Sequence, residues 1–448
     1  MSSIRALARL GAIASACAAL TGPVHAVTPL EPSTGFALYT RYEYLDGPLR
    51  PGQTGDDRIF NNRAELRLGK QFAADGLRIG AQLELWDARA WLHDAETPLN
   101  TGEVNALEPV NAWLSVDLGG GTLRAGRLTQ NLGSRRLVAR NLYRATTNGF
   151  TGIDWRGDLG AWRVQALLYS PDARRPDERD RVGDDDVQLD ETSFERRFWG
   201  LFAQREIAGG DRLELYAFHL DENDTKETPG RNRRITTPGL RWRRTAPDGG
   251  LDAELEITLQ FGRVRGTAAA TDTHDLDHRA AMLFGELGWR PGPTAPRTSL
   301  ELLWASGDDD PADGDSGTFD SLFGVIVGDY GPSGIWTSLN RRNLFTAVLR
   351  VEGRPLPRVR AHALLRHARL AAAEDAWYAT GLRDPSGASG DAIGDQFETR
   401  IRWWAIKETL QVETGWIHHR KGRFARRAPG APGDDAVNYI WFSTRIIL

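Results

Sequence analysis

The chain has 448 residues and a formal charge of −4, its 56 Lys and Arg nearly matched by 60 Asp and Glu. A mean hydropathy of −0.44 and the absence of any long apolar run past the N-terminus exclude helical membrane spans. Balanced charge without a basic stripe gives nucleic acid nothing to bind.

Positive charge is nearly all arginine, because Lys70, Lys226, Lys407 and Lys421 are the only lysines. A GC-rich genome accounts for that, and so does a need for planar, two-pronged contacts to carboxylate or phosphate. The N-terminus reads as a secretory signal. Arg5 and Arg9 precede an apolar stretch from Leu10 to Leu20, and Val24-His25-Ala26 offers a small-x-small cut site, so residues 1–26 are expected to be removed. Ala14-Ser15-Ala16-Cys17 is a weaker lipoprotein-type alternative. Loss of Cys17, the single cysteine, leaves a mature chain without thiol or disulfide chemistry.

From there strand-length stretches follow one another to the end. Arg63, Glu65 and Arg67 interleave with Ala64, Leu66 and Leu68, and Leu77, Ile79, Ala81, Leu83 and Leu85 with Arg78, Gln82 and Glu84. The period of two sends one set to each face. In chain order the spacing predicts strands at 36–45, 59–70, 77–88, 107–118, 122–128, 149–156, 160–169, 197–206, 211–220, 234–245, 250–262, 278–290, 297–307, 342–353, 358–369, 394–404, 407–417 and 437–448. Connections alternate between short and long. Gly119-Gly120-Gly121 and Ala208-Gly209-Gly210 are turn-formers, whereas 170–196, 221–233, 308–341 and 370–393 are long, polar and acidic. Short periplasmic turns, long extracellular loops and an even strand count define an all-β transmembrane barrel of eighteen antiparallel strands, one domain over 27–448. Trp155, Trp162, Trp199, Trp242, Trp289, Trp304, Trp403 and Trp416 fall near strand ends, as interfacial girdles require. The C-terminal strand places Ile440, Phe442, Ile446 and Leu448 on one face. It resembles the signal read by barrel-assembly machinery, with Leu where Phe is usual.

Three segments resemble the alginate-export family of outer-membrane porins. The first is Gly126-Arg127-Leu128-Thr129-Gln130, then Gly133-Ser134-Arg135-Arg136-Leu137 and Gly149-Phe150-Thr151-Gly152; Leu128 and Thr151 replace the family's usual Gln and Asp. The second is Ser306-Gly307-Asp308 followed by Gly317-Thr318-Phe319-Asp320, and the third runs from Trp377-Tyr378 to Gly394 and Glu398. The resemblance implies a monomeric eighteen-stranded barrel in a Gram-negative outer membrane. Its partners would be outer-membrane lipid and an anionic or polar solute or polysaccharide, alginate-like uronate polymer included.

An anion conduit needs inward positive charge. Strand parity sends Arg41, Arg63, Arg67, Arg78, Arg163, Arg241, Arg243, Arg360, Arg366, Arg400 and Arg402 inward. Arg127, Arg135, Arg136, Arg140 and Arg144 crowd the loop between strands five and six, which is expected to fold inward and narrow the pore. Inward Glu43, Glu65, Glu84, Glu254, Glu256 and Glu398 compete for these arginines as cross-strand partners. Acidic runs at Asp184-Asp185-Asp186 and Asp308-Asp309-Asp310 offer oxygen ligands without EF-hand spacing, and His274 and His278 lie four apart without a helical frame for zinc. His219 beside Asp221, and His418-His419, lack a nucleophile motif. No enzyme activity and no cofactor are expected. A small-nutrient porin, a barrel enzyme acting on lipid or peptide, and a structural or adhesive surface protein using its long loops are the alternatives.

Overall fold

The computed structural model describes residues 32–74, 76–118, 120–223, 230–269 and 271–448. The expected signal segment, with its cut after Ala26, lies outside them.

Among the described residues, eighteen strands follow in chain order. They are β1 (Gly35–Asp46), β2 (Asp57–Ala74), β3 (Leu77–Trp91), β4 (Asn105–Leu118), β5 (Gly121–Leu128) and β6 (Phe150–Leu159). Then come β7 (Trp162–Pro171), β8 (Arg196–Glu206), β9 (Arg212–Glu222), β10 (Arg234–Arg244), β11 (Gly250–Arg265) and β12 (Asp275–Arg290). The last six are β13 (Arg297–Ala305), β14 (Leu344–Leu356), β15 (Val359–Arg369), β16 (Ala392–Ile406), β17 (Leu410–Lys421) and β18 (Ala436–Ile447). Each pairs antiparallel with the next. β18 returns to β1 in unbroken register, from Ala37 opposite Ile447 to Asp46 opposite Asn438. The sheet therefore has no free edge. A two-residue strand, Asp315–Ser316, lies parallel to the upper end of β12.

Side-chain alternation builds the two faces. Leu215, Leu240, Ile257, Leu283 and Trp304 occupy one register row across β9 to β13, point outward and lie between 36% and 45% exposed. An aqueous surface has no use for such a row; acyl chains do. On the inner face Arg41, Glu43, Arg63, Glu65 and Glu84 are all buried. Several strands run beyond the expected ends: β2 reaches from 57 to 74 and β11 to Arg265. Charged Asp57, Arg58, Arg263 and Arg265 are among the added residues, which is why the sequence reads these ends as loop. They remain paired, with Arg263 facing Asp277 across the ladder.

Two long loops turn into the bore. The 129–149 loop does so as its arginines led one to expect. The 306–343 loop, expected outside with the other acidic loops, joins it. They meet at a single parallel bridge, where Phe323 N donates to Leu137 O at 2.9 Å and Ala139 N to Phe323 O at 3.1 Å, and Val325 N adds a bond to Arg135 O at 3.1 Å. Gly324 is required at this contact, because a Cβ there would fall inside the Arg136 carbonyl. Phe323 meets Phe150 and Phe198 edge-on, each at 5.2 Å between ring centroids. Farther along, Trp336 stacks on Tyr439 at 5.7 Å. The plug thus has a hydrophobic core of its own, seated on inward-facing aromatic residues of the wall.

Candidate functional site: an arginine-walled chamber in the bore

Below the two crossing loops lies a cavity of about 1830 Å³. Its roof is residues 131–136 of one loop and 327–331 of the other. Its lower rim is formed by short-turn residues such as Gly120, Asp248 and Thr294, so it lies toward the short-turn side. Among the described residues, seventeen arginines line it against eleven aspartates and glutamates, an excess of six positive charges in a chain whose total is −4. Low-dielectric walls of one sign concentrate counter-ions between them.

The expected site residues take different places. Arg241 binds Glu214 at 2.9 Å and Glu254 at 2.7 Å, and Arg400 and Arg402 share Glu413 at 2.8 and 2.6 Å. All three line the chamber, together with Arg243 and Arg360. Arg78 and Arg163 line its rim, 62% and 70% exposed, beside Asp117 and Asp158. Arg135 and Arg136 are in the roof. Arg136 reaches Glu254 at 2.7 Å, Glu256 at 2.6 Å and Asp329 at 3.1 Å, with Phe284 under its guanidinium. Arg140 is locked on Glu84 at 2.6 Å. Arg366 donates to the Asp329 carbonyl at 2.5 Å. Arg41 and Arg63 face inward above the chamber, paired with Glu43 and Glu65. Arg67 shares the inward face of β2 with Arg63 and lies outside the chamber lining. Arg127 is likewise no part of that lining. Three residues beyond inward Arg124, it points to the other face of β5 and binds Glu108 at 2.5 Å and Asp172 at 3.1 Å. Partners for the loop arginines come from distant strands, which proximity in sequence cannot reveal.

Eight of the chamber arginines, Arg124, Arg156, Arg212, Arg244, Arg290, Arg297, Arg350 and Arg354, escape the parity reading. Arg124 and Arg156 line the wall on β5 and β6, and Arg124 grips Asp154 with two bonds of 3.1 and 2.7 Å. The signal was present: Arg124 alternates with Leu123 and Ala125 inside a strand already recognised.

Above the chamber, half-buried Arg144 lies near Glu103 of the 92–104 loop, which also lies 3.6 Å from Arg41. Burial, then the Glu43 charge, pushes the Glu103 carboxyl up to about 7 against the pull of Arg41 and Arg144. Because this raises the value above an ordinary 4.5, the folded loop holds the proton more tightly than the unfolded chain. Its contribution to stability is complete below about pH 4.5 and is lost as pH rises through about 7. Limited proteolysis of the 92–104 loop is expected to speed up from pH 5 to pH 8 in the native chain and to become flat in Glu103→Gln.

A closed eighteen-stranded barrel with an apolar outer belt, a polar bore and inward-folded loops defines an outer-membrane protein of the porin class. The alginate export family model matches residues 31–438, and the chain belongs to that family. Among solved structures, Pseudomonas aeruginosa OccK2 (OpdF) is similar at 14% identity, with a TM-score of 0.59 over 93% of this chain and 98% of that one. A structure of OccK2 in complex with glucuronate aligns equally well. P. aeruginosa OpdK with vanillate aligns at 12% identity and TM-score 0.57, again over 93% of this chain and 98% of that one. Acinetobacter baumannii OccAB2 does so at 13% and 0.58, with the same coverage. At these identities the likeness is one of fold. Comparison with curated protein sequences finds no match.

Proposed function

We propose that the protein is a passive porin for small carboxylate-bearing solutes, uronate sugars or short uronate oligomers among them. The observation that carries this reading is the arginine excess of the chamber, seventeen against eleven. A carboxylate entering from water exchanges its hydration for guanidinium contacts, which are planar and two-pronged. The solutes named with two of the structural relatives, glucuronate and vanillate, are both carboxylates. Export of an alginate-like polymer is the second reading, favoured by the family's description. It requires the 129–149 and 306–343 loops to part, whereas a single sugar needs only a gap between them. In this reading the protein works as a monomer without cofactor or catalysis, inserted through its C-terminal strand.

In planar bilayers under a KCl gradient, the reversal potential is expected to have the sign of chloride preference. Glucuronate is expected to enter proteoliposomes faster than neutral glucose. A cation preference, or equal entry of both sugars, refutes the proposal.

A further inference from the structure

We propose that Arg124, Arg156 and Gln165 form a subsite on the chamber wall that holds the carboxylate of a passing acidic sugar. The inference rests on the reading of the chamber as an anion route and locates where on its wall the anion is held.

The three residues come from neighbouring strands. Arg156 on β6 is directly opposite Gln165 on β7 and opposite Thr122 on β5, one inward position from Arg124. Directly opposed side chains lie about 5 Å apart and diagonal ones about 7–8 Å, so the three converge on one patch. All three line the chamber.

The charge balance of the patch is uneven. Two guanidiniums share one carboxylate, Asp154, which Arg156 approaches only to 3.8 Å. Asp154 is already engaged by four donors. Its Oδ1 accepts from Arg124 Nε at 3.1 Å, and its Oδ2 accepts from Arg124 Nη2 at 2.7 Å, Gln130 Nε2 at 2.6 Å and the Tyr169 hydroxyl at 2.5 Å. Oδ2 is fully taken, and the position that Oδ1 keeps lies 3.8 Å from Arg156 Nε, beyond hydrogen-bond reach. Arg156 Nη2 is taken by Gln130 Oε1. Left over are Arg124 Nη1, Arg156 Nε and Gln165 Nε2, three buried donors with no acceptor among the described residues. Their residues are nine-tenths buried or close to it: Arg124 is 1% exposed, Gln165 6%, and the Arg156 side chain 18%. Orphaned donors of this kind are costly unless something supplies oxygen. Here the surplus is both of donors and of one positive charge, which a neutral hydroxyl answers only in part. A carboxylate answers both, its two oxygens taking the guanidinium donors while the Gln165 amide meets a neighbouring sugar hydroxyl.

The test separates the subsite from the wider anion reading. Equilibrium binding of glucuronate to the purified full-length barrel in detergent is followed by NMR line broadening, and ion preference is measured separately in bilayers. Arg156→Gln is expected to weaken glucuronate binding about tenfold, as loss of a charge-assisted contact does, and Gln165→Leu about threefold. Arg263→Gln, on the outward face of β11 and outside the chamber lining, should leave binding unchanged. Chloride preference should survive in all three, since most of the seventeen arginines remain. Unchanged glucuronate affinity in Arg156→Gln, with its circular dichroism melt matching the native chain, overturns the subsite and leaves the anion route standing. A native chain that prefers cations overturns the route, and one that binds no glucuronate overturns the subsite.

Discussion

Replacing Arg136 with alanine is expected to open the bore. Single-channel conductance should rise several-fold, and anion preference should fall. Arg136 is the hub of the roof, tying the 129–149 loop to Glu254 and Glu256 on β11 and to Asp329 of the 306–343 loop. Burial alone would raise Asp329, but Arg136 and Arg341 outweigh it and hold its carboxyl below the ordinary value. Removing one partner of a buried charge network costs about 3–5 kcal/mol, because the remaining charges stay desolvated and unpaired. Here three carboxylates would be left around one hole, with Arg241 and Arg341 to serve them. The barrel is held by its ladders, so the cost falls on the seating of the loops. Conductance identical to the native chain would mean that the roof is held elsewhere, in the Phe323 and Trp336 contacts.

The second large effect is expected on the opposite face. Ile257→Arg puts a guanidinium in the middle of the outward apolar row on β11, between Leu240 and Leu283. At the bilayer midplane this costs about 2–4 kcal/mol, where an exposed site on a water-soluble sheet would hardly register it. Refolding into phospholipid vesicles, titrated with urea, should show the loss. Arg263→Ile on the same strand, outward but level with Asp277, should be nearly neutral. Equal stability of native chain and Ile257→Arg would place that row in water.

The strands were legible because a barrel imposes one rule along its whole length. Period-two alternation over about ten residues, broken by turn formers, locates β3 or β11 to within a few positions. The tryptophans expected at interfaces lie on the outward face, as Trp289, Trp304, Trp403 and Trp416 illustrate at 39–52% exposure. What alternation cannot tell is how an irregular segment folds. The 306–343 loop opens with Asp308-Asp309-Asp310 and reads as solvated, yet Phe319, Val325, Tyr330, Ile335, Trp336 and Leu339 within it are buried. The apolar run Leu322 to Val327 was the available sign. For the chamber, parity put Arg241, Arg400 and Arg402 on the right face but could not show that Glu413 and Glu254 partly neutralise them. The orphaned donors of Arg124 and Arg156 depend on distances within the Asp154 cluster, which spacing along the chain does not set.

One contact bears on the order of events during biogenesis. The 306–343 loop is fastened where the first and last strands meet: Ile335 N donates to Glu43 on β1, Trp336 stacks on Tyr439 of β18, and Arg50 clasps the carbonyls of Ile335 and Thr337. That anchorage does not exist until the chain's two ends have zipped together. The Phe323 and Arg136 contacts on β6, β8 and β11 do not depend on that seam, so only the 335–337 segment is expected to seat last, once the barrel has closed.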